Sequence, residues 1–330
     1  MCTIQDGGRF GLQRFGMPVA GALDDVARQL ANMLVRNAKD AAVLEVIGPG
    51  PTLRLDAESA RIAAAGCVSA IEVIRSGGKA TSIAAHESTT LSRGDVVRLP
   101  SPRGGAVYCV AVDGGFAVAP TLGSRATYTR ARIGGWHGRP LAASDRLPLA
   151  LQSATQNDEL RTSRRVETPA RLRVMVGPQQ NAFPGEAMAA FLSAEWRVSA
   201  ASDRMGLRLD GPRLTHIGAA EVPSQGIAAG AIQVPGGGQP ILLLADRQTT
   251  GGYPIIATVI GADIAAAGRL SPGMAFRFEA VSYDTAIKAR RALQAWLDEA
   301  GAGLEPAAPP LTTETLLTHN LIGGVTDGSV

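Results

Sequence analysis

The stretch Pro240-Ile-Leu-Leu-Leu-Ala-Asp-Arg-Gln-Thr-Thr-Gly-Gly-Tyr-Pro-Ile-Ile-Ala-Thr-Val259 sets the reading of the whole chain. It holds two apolar runs, Ile241–Ala245 and Ile255–Val259, each the length of a buried strand. Between them, Asp246 to Tyr253 bring one acid, one base, an amide and three hydroxyls together in eight residues. A turn that only reverses the chain needs less chemistry. Gly251-Gly252 lets backbone N–H groups approach a ligand or take up positive φ. The plainer reading is a hairpin whose polar residues satisfy their own backbone.

A second polar cluster, Ser202-Asp-Arg-Met-Gly-Leu-Arg-Leu209, lies upstream and turns at Gly206 into a strand. Ala231-Ile-Gln233-Val-Pro235 and Gly236-Gly-Gly238 read as a strand and turn just before the quoted stretch. Arg171–Val176, Trp196–Ala200 and Phe276–Phe278 are further strands, Phe183–Leu192 is a short helix and Ser282–Ala300 a terminal one. Residues from Gly301 on are rich in Pro, Thr and Gly and form a tail. Gln152–Pro169 is polar and aperiodic, the composition of a linker.

The first half is also strand-rich: Val43–Ile47, Thr52–Leu55, Ala60–Ala65, Ala70–Ile74, Thr89–Leu91, Val96–Leu99 and Val107–Ala111, punctuated by Gly and Pro. Short strands at this spacing predict a barrel or sandwich, not an alternating βα fold. One helix, Asp24–Arg36, carries the apolar stripe Ala27, Leu30, Ala31, Leu34 and Val35, with Asp24 suited to cap it. Thr3–Pro18 reads as an ordered glycine-rich loop in which Asp6 and Arg9 are spaced to pair. The chain is thus mainly β with a few helices: a β-rich part over 1–150, a second over 170–300 and a tail over 301–330.

Composition narrows the function classes. Apolar residues make up 45% and charged residues 18%, below the usual quarter, which predicts extensive burial. The net charge of +3 is carried by arginine, since only Lys39, Lys79 and Lys288 are lysines. Without a basic stripe interleaved with aromatics, nucleic acid is not an expected partner. Cys2, Cys67 and Cys109 are widely spaced, so neither a disulfide framework nor a zinc site is expected. The four histidines lack metal-ligand spacing. No apolar run reaches membrane-spanning length and no signal-peptide pattern opens the chain, so it reads as cytoplasmic. Gly77-Gly-Lys79-Ala-Thr81 lacks the upstream glycine and adjacent Ser or Thr of a phosphate loop and reads as a turn. No lysine sits between methionines, so biotin is not attached to this chain.

Four stretches together resemble one family, the biotin-dependent carboxyltransferase family of KipA, the C subunit of 5-oxoprolinase and allophanate hydrolase subunit 2. They are Gln5-Asp-Gly-Gly-Arg-Phe-Gly11 through Gly21-Ala-Leu-Asp24; Leu122-Gly-Ser-Arg125 with Gly134-Gly135 and Gly138-Arg139; Ser202–Leu209; and Gly230–Pro235 through Asp246–Tyr253. The resemblance spans about residues 3–290. Ala20 stands where the family usually has serine and Arg269 near a usual glutamine. The chain begins almost at the first motif, without the strand that normally precedes it, so either a sheet edge is expected to be unpaired or the start to be trimmed.

The resemblance implies a cyclophilin-like barrel in the second half and a separate partner, a subunit-B or KipI-like chain. It implies one of three roles: a subunit of an ATP-dependent 5-oxoprolinase, a carboxyltransferase acting on urea or a related amide with carboxybiotin carried by another protein, or a KipA-like regulator binding a kinase inhibitor. All three need a small planar amide, or a protein partner, held against fixed donors. Arg204, Gln233, Gln248 and the Gly251 and Gly252 amides suit an oxygen on which charge develops. Asp246 or Asp6 suits orienting an arginine or moving a proton; Arg9 or Arg204 suits a substrate carboxylate. Tyr253 suits one wall or a donated hydrogen bond at the reacting amide, and Thr249 and Thr250 suit substrate contacts. Structural pairing of Asp246 with Arg247 or Arg204 is an equal alternative to catalysis.

Overall fold

The structure, a computed structural model, describes residues 1–307. Its first half holds β1 (Cys2–Gln5), α1 (Asp25–Leu34), β2 (Val43–Ile47), β3 (Thr52–Arg54), β4 (Ser59–Gly66), β5 (Ala70–Ile74), β6 (Ala80–Ala84), β7 (Ser88–Ser92), β8 (Val96–Arg98) and β9 (Val107–Val112). These make two antiparallel sheets, β1-β2-β9-β4-β7 and β3-β8-β5-β6. Their inner faces share one apolar core, with Ile4, Leu44, Val46, Ile62 and Val110 against Ile71, Val73 and Val97. The alternation of buried and half-buried residues along β5 is the period-2 pattern of a strand with one buried face.

The outer face of the larger sheet is made of small side chains, Ala63, Ala65, Cys109 and Ala111. This lets α1 lie close with Val26, Ala27, Leu30, Ala31 and Leu34 against it. Asp24 starts the helix by accepting the Ala27 N–H at 3.0 Å. Arg269, from the second half, reaches both Asp24 carboxylate oxygens at 3.0 and 2.9 Å.

The second half holds β10 (Leu160–Arg161), β11 (Arg171–Val176), α2 (Gly185–Ser193), β12 (Trp196–Val198), β13 (Gly206–Asp210), β14 (Gln225–Gly226), β15 (Ala231–Gln233), β16 (Ile241–Leu243), β17 (Thr250–Gly251), β18 (Ile255–Val259), α3 (Ile264–Gly268), β19 (Ala275–Ala280), α4 (Tyr283–Ala302) and β20 (Glu305–Pro306). Seven strands close into a barrel in the order β11-β18-β15-β16-β13-β12-β19, with β19 returning parallel to β11. Leu172, Trp196, Leu209, Ile232, Leu242, Ile256 and Phe276 fill it. Phe191 of α2 stacks on Phe278 at 4.6 Å between centroids and seals one side. Among the described residues no helix is long and apolar enough to cross a membrane.

Three expectations are corrected here. The two apolar runs of the opening stretch are not hairpin partners. β15 lies between them, with Ile232 opposite Leu242 on one side and Ala257 on the other. Residues 244–254 therefore bridge two strand spacings, roughly 10 Å, across the mouth of the barrel. Nor is the first strand missing, because Cys2–Gln5 pairs with Val43–Val46 at the sheet edge.

Gln152–Pro169 is also no free linker. Thr155 donates to Asp113 at 2.7 Å, Arg61 donates to the Thr155 carbonyl at 2.9 Å, and β10 pairs with β20. Its polarity serves fixed partners in place of water. The tail expected over 301–330 begins with the end of α4 and β20; the remainder lies outside the described residues.

Candidate functional site

Residues 6–21, between β1 and α1, form a loop that leans on the barrel mouth, with the Ala20 N–H bonded to the Ala245 carbonyl at 3.1 Å. Asp6 shapes it by accepting from the Gly8 N–H at 2.8 Å, the Ser124 hydroxyl at 2.6 Å and the Arg125 N–H. The expected Asp6–Arg9 pair does not form. Arg9 turns to the carbonyls of the same segment instead, Thr121 at 3.1 Å, Ser124 at 3.4 Å and Ala126. Acid and base thus grip one stretch of chain by its donor and acceptor sides. Arg9 is only 1% exposed, and its Nη1 finds no partner among the described residues. Burial lowers its pKa, opposed by the charges of Asp6 and Asp246.

Behind this loop lies a buried ionic triad. Arg204, in the turn before β13, donates through Nε and Nη2 to Asp246 at 3.0 and 2.9 Å, through Nη2 to the Gly21 carbonyl at 2.7 Å, and through Nη1 to Glu45 of β2. The other Glu45 oxygen accepts the Leu23 N–H at 2.6 Å. Burial works against the charge of Arg204, but the Glu45 and Asp246 carboxylates together outweigh it, so its pKa rises. Glu45 moves up as well, because burial exceeds the help from Arg204. The triad ties the first sheet, the loop over 6–21 and the barrel mouth at one point. It leaves Arg204 and Asp246 little capacity to reach a ligand.

Two residues beyond Asp246, within about 7 Å along the chain, the chemistry changes from ionic to amide. Gln248 Nε2 donates to Gln233 Oε1 at 3.0 Å, and Gln233 Nε2 donates to the Tyr253 carbonyl at 3.4 Å. Gln233 is buried and Gln248 half-buried. Gly251 permits this: a Cβ there would stand 2.5 Å from Ile227 Cδ1 and 2.8 Å from Gln233 Nε2. The loop tip is pinned by β14 pairing with β17, by the Ile227 N–H on the Thr249 carbonyl at 3.0 Å, and by the Val222 N–H on the Gly252 carbonyl at 2.8 Å. Tyr253 is 42% exposed at the edge.

Outside the pinned tip opens a cleft of about 550 Å³ between the two halves, walled by Gln13, Arg14 and Gly16 on one side and Gly226, Ile227, Ala228, Thr249 and Thr250 on the other. Thr249 and Thr250 therefore face a concavity, Gln248 stands next in sequence, and Arg204 is joined to the same loop through Asp246. The walls Gln13–Gly16 and Gly226–Ala228 and the triad member Glu45 went unread in the sequence, and Arg247 was read there only as a structural partner for Asp246. Gln13 and Arg14 do fall inside the first of the four motif stretches. Among the described residues no group of three or more His, Cys, Asp or Glu side chains is gathered for a metal ion.

The fold is shared with known proteins. A family model for the carboxyltransferase domain, subdomain A and B, matches residues 15–280. The chain is 34% identical over 300 residues to the C subunit of 5-oxoprolinase from Escherichia coli and 36% identical over 302 residues to that from Haemophilus influenzae, covering 90% of this chain and 94% of each relative. The crystal structure of the K. lactis urea amidolyase superposes with a TM-score of 0.80 at 26% identity, covering 90% of this chain and 19% of that one.

Proposed function

This chain belongs to the carboxyltransferase-domain family, subdomains A and B, and from that premise we propose that it is the C-type subunit of a 5-oxoprolinase. In this reading it holds the lactam of 5-oxoproline while companion chains complete the site. The observation that carries the reading is the near end-to-end match to two proteins named as that subunit.

Opening the lactam adds water across its C–N bond. The carbonyl carbon gains the oxygen and becomes the side-chain carboxylate of glutamate, and the nitrogen takes a proton and leaves as the amine. Hydrolysis of ATP to ADP and phosphate drives the step. The chain's own part is to hold and polarise the amide. Gln248 uses one Nε2 proton on Gln233, so a second N–H and its Oε1 remain to meet the C=O and N–H of a lactam, complementary donor to acceptor.

Gln233, fixed by the Tyr253 carbonyl, orients that amide, and Thr249 and Thr250 add hydroxyls from the cleft wall. Arg204 and Asp246 act at one remove, by holding the loop. ATP enters as a substrate of the complex, its phosphates handled by the companions. In this chain Gly77-Gly78 is the tip of the β5–β6 hairpin, closed by the Arg75 N–H on the Lys79 carbonyl at 2.8 Å. Phe10 and Phe15, 75% and 71% exposed on the loop that walls the cleft, support a companion chain covering this side.

The test is reconstitution with the companion chains, reading 5-oxoproline-stimulated ATP hydrolysis and glutamate formation. Stimulation only in the full complex is the expected result; none with every component present sinks the reading. A second reading, carboxyl transfer to urea from a biotinylated carrier, is favoured by the superposition on urea amidolyase. Carboxylation of urea with a biotinylated carrier, and no response to 5-oxoproline, would select it.

A further inference from the structure

Six arginines among the described residues are buried, and their compensation is not equal. Arg28 pairs with Asp25, Arg61 with Asp113, Arg204 with Glu45 and Asp246, and Arg269 with Asp24. Arg9 lies in the fields of Asp6 and Asp246. Arg247 differs from all five. It is 4% exposed, forms no salt bridge among the described residues, and burial alone acts on it, lowering its pKa with no acid to oppose the fall. Its sequence neighbour Asp246 is committed to Arg204. Burying a cation without a counter-charge costs several kcal/mol, so such a group is expected where an anion arrives from outside.

Its guanidinium is held in place next to the cleft wall. Nε donates to the Ile227 carbonyl and Nη1 to the Leu244 carbonyl, both at 3.2 Å, which fixes the guanidinium plane from one side. Nη2 has no partner among the described residues. Ile227 is itself a wall of the cleft, and Thr249, whose carbonyl holds the Ile227 N–H, is another. The cation therefore stands directly behind the cleft, one residue from the Gln248 amide. Arg14 adds a second guanidinium at the opposite wall.

We propose that Arg247 is the anion-binding residue of the cleft and takes the carboxylate of a carboxylate-bearing amide substrate. The assignment rests on the lactam reading above and sharpens it. 5-Oxoproline carries such a carboxylate beside its amide nitrogen, whereas urea is neutral and leaves Arg247 uncompensated. The guanidinium fork meets a carboxylate through parallel N–H donors, while Gln248 meets the amide.

The full-length chain and the reconstituted complex test this with two probes, 5-oxoproline and the neutral lactam 2-pyrrolidinone. Wild type is expected to bind 5-oxoproline about 10-fold to 100-fold more tightly than 2-pyrrolidinone. Arg247→Gln is expected to lose that preference while binding 2-pyrrolidinone as wild type does, which also reports that the variant is folded. Arg247→Lys, which keeps the charge without the fork, is expected to retain part of the preference. Equal wild-type affinity for the two lactams overturns the proposal without using any variant. A preference that survives in Arg247→Gln overturns it while leaving the 5-oxoprolinase reading intact. If the complex shows no 5-oxoproline-stimulated ATP hydrolysis, yet simple carboxylates such as acetate protect wild type from thermal unfolding and not Arg247→Gln, the anion site stands and the reading falls. Inorganic phosphate giving that protection where carboxylates do not overturns the carboxylate assignment.

Discussion

Replacing Arg204 with methionine removes one side chain and leaves two buried carboxylates facing each other. Glu45 is 1% and Asp246 4% exposed. Both would lose the same counter-charge, and the Gly21 carbonyl would lose its donor. Breaking a buried pair in this way costs about 3–5 kcal/mol, mostly from the stranded charge. Against the 5–15 kcal/mol typical of a native protein, that is roughly a fifth or more of the total.

The loss has a characteristic pH dependence. Burial already raises Glu45 with Arg204 in place, and without it the group rises further. A carboxyl whose folded pKa lies above its unfolded value keeps its full contribution below the unfolded value and loses it as pH climbs through the folded one. The deficit of Arg204→Met against wild type should therefore be largest near pH 8 and narrow toward pH 5. Urea unfolding followed by tryptophan fluorescence measures it, because Trp196 lies fully buried in the barrel. Adding Glu45→Gln and Asp246→Asn to the variant should recover most of the loss, since neutral partners need no counter-charge. A deficit under about 1 kcal/mol, or one that widens in acid, refutes the triad as the point that ties the two halves.

Two further perturbations probe the frame and the site. Gly251→Ala drives a methyl into Ile227 and the Gln233 amide; overpacking of this kind costs about 1–3 kcal/mol. Displacing Gln233 should also lower turnover of the reconstituted complex more than stability alone explains, as read by kcat against the melting curve. His86 is buried, accepts the Gly66 N–H at 3.4 Å and has its pKa pushed down to about 4, chiefly by burial and then by the charge of Arg165. A depressed histidine contributes stability that is present above pH 6.5 and is lost as pH falls toward 4, here about 3 kcal/mol. His86→Asn tolerates the local φ of 66° and should flatten that acid limb, measured as unfolding free energy between pH 7 and pH 4.

The strands were legible wherever burial is one-sided or complete over five residues, as in Val43–Ile47, Ala70–Ile74 and Ile255–Val259, because the apolar pattern there leaves no second interpretation. β1 was absorbed into the glycine-rich loop that follows it, since Cys-Thr-Ile-Gln is short and half polar. β6, Ala-Thr-Ser-Ile-Ala, alternates too weakly to stand out. Strand order was beyond reach: that β15 inserts between β16 and β18 is a matter of pairing across the chain, which local pattern does not encode.

The same limit governed the charges. Asp246 beside Arg247, and Asp6 three residues from Arg9, look self-neutralising on the page. The fold sends Asp246 to Arg204 and Asp6 to Ser124 and Arg125. Arg247 is left uncompensated as a result, and sequence adjacency hides this. Gln248, by contrast, was legible as a candidate because an amide near paired glycines in a strand-bounded loop has few structural uses, and Gln233 because it stands at the end of the strand just before that loop's stretch.

The claim on which everything else depends is that the Gln248–Gln233 amide pair, next in the chain to the cleft wall Thr249, is where the substrate amide is held. Gln248→Ala in the reconstituted complex tests it directly, with 5-oxoproline-stimulated ATP hydrolysis as the readout and co-elution of the component chains as the control for assembly. The account predicts an assembled complex whose stimulated rate falls about 100-fold to 1000-fold, the range for losing a fixed donor to a developing charge. An assembled complex that turns over at the wild-type rate contradicts it.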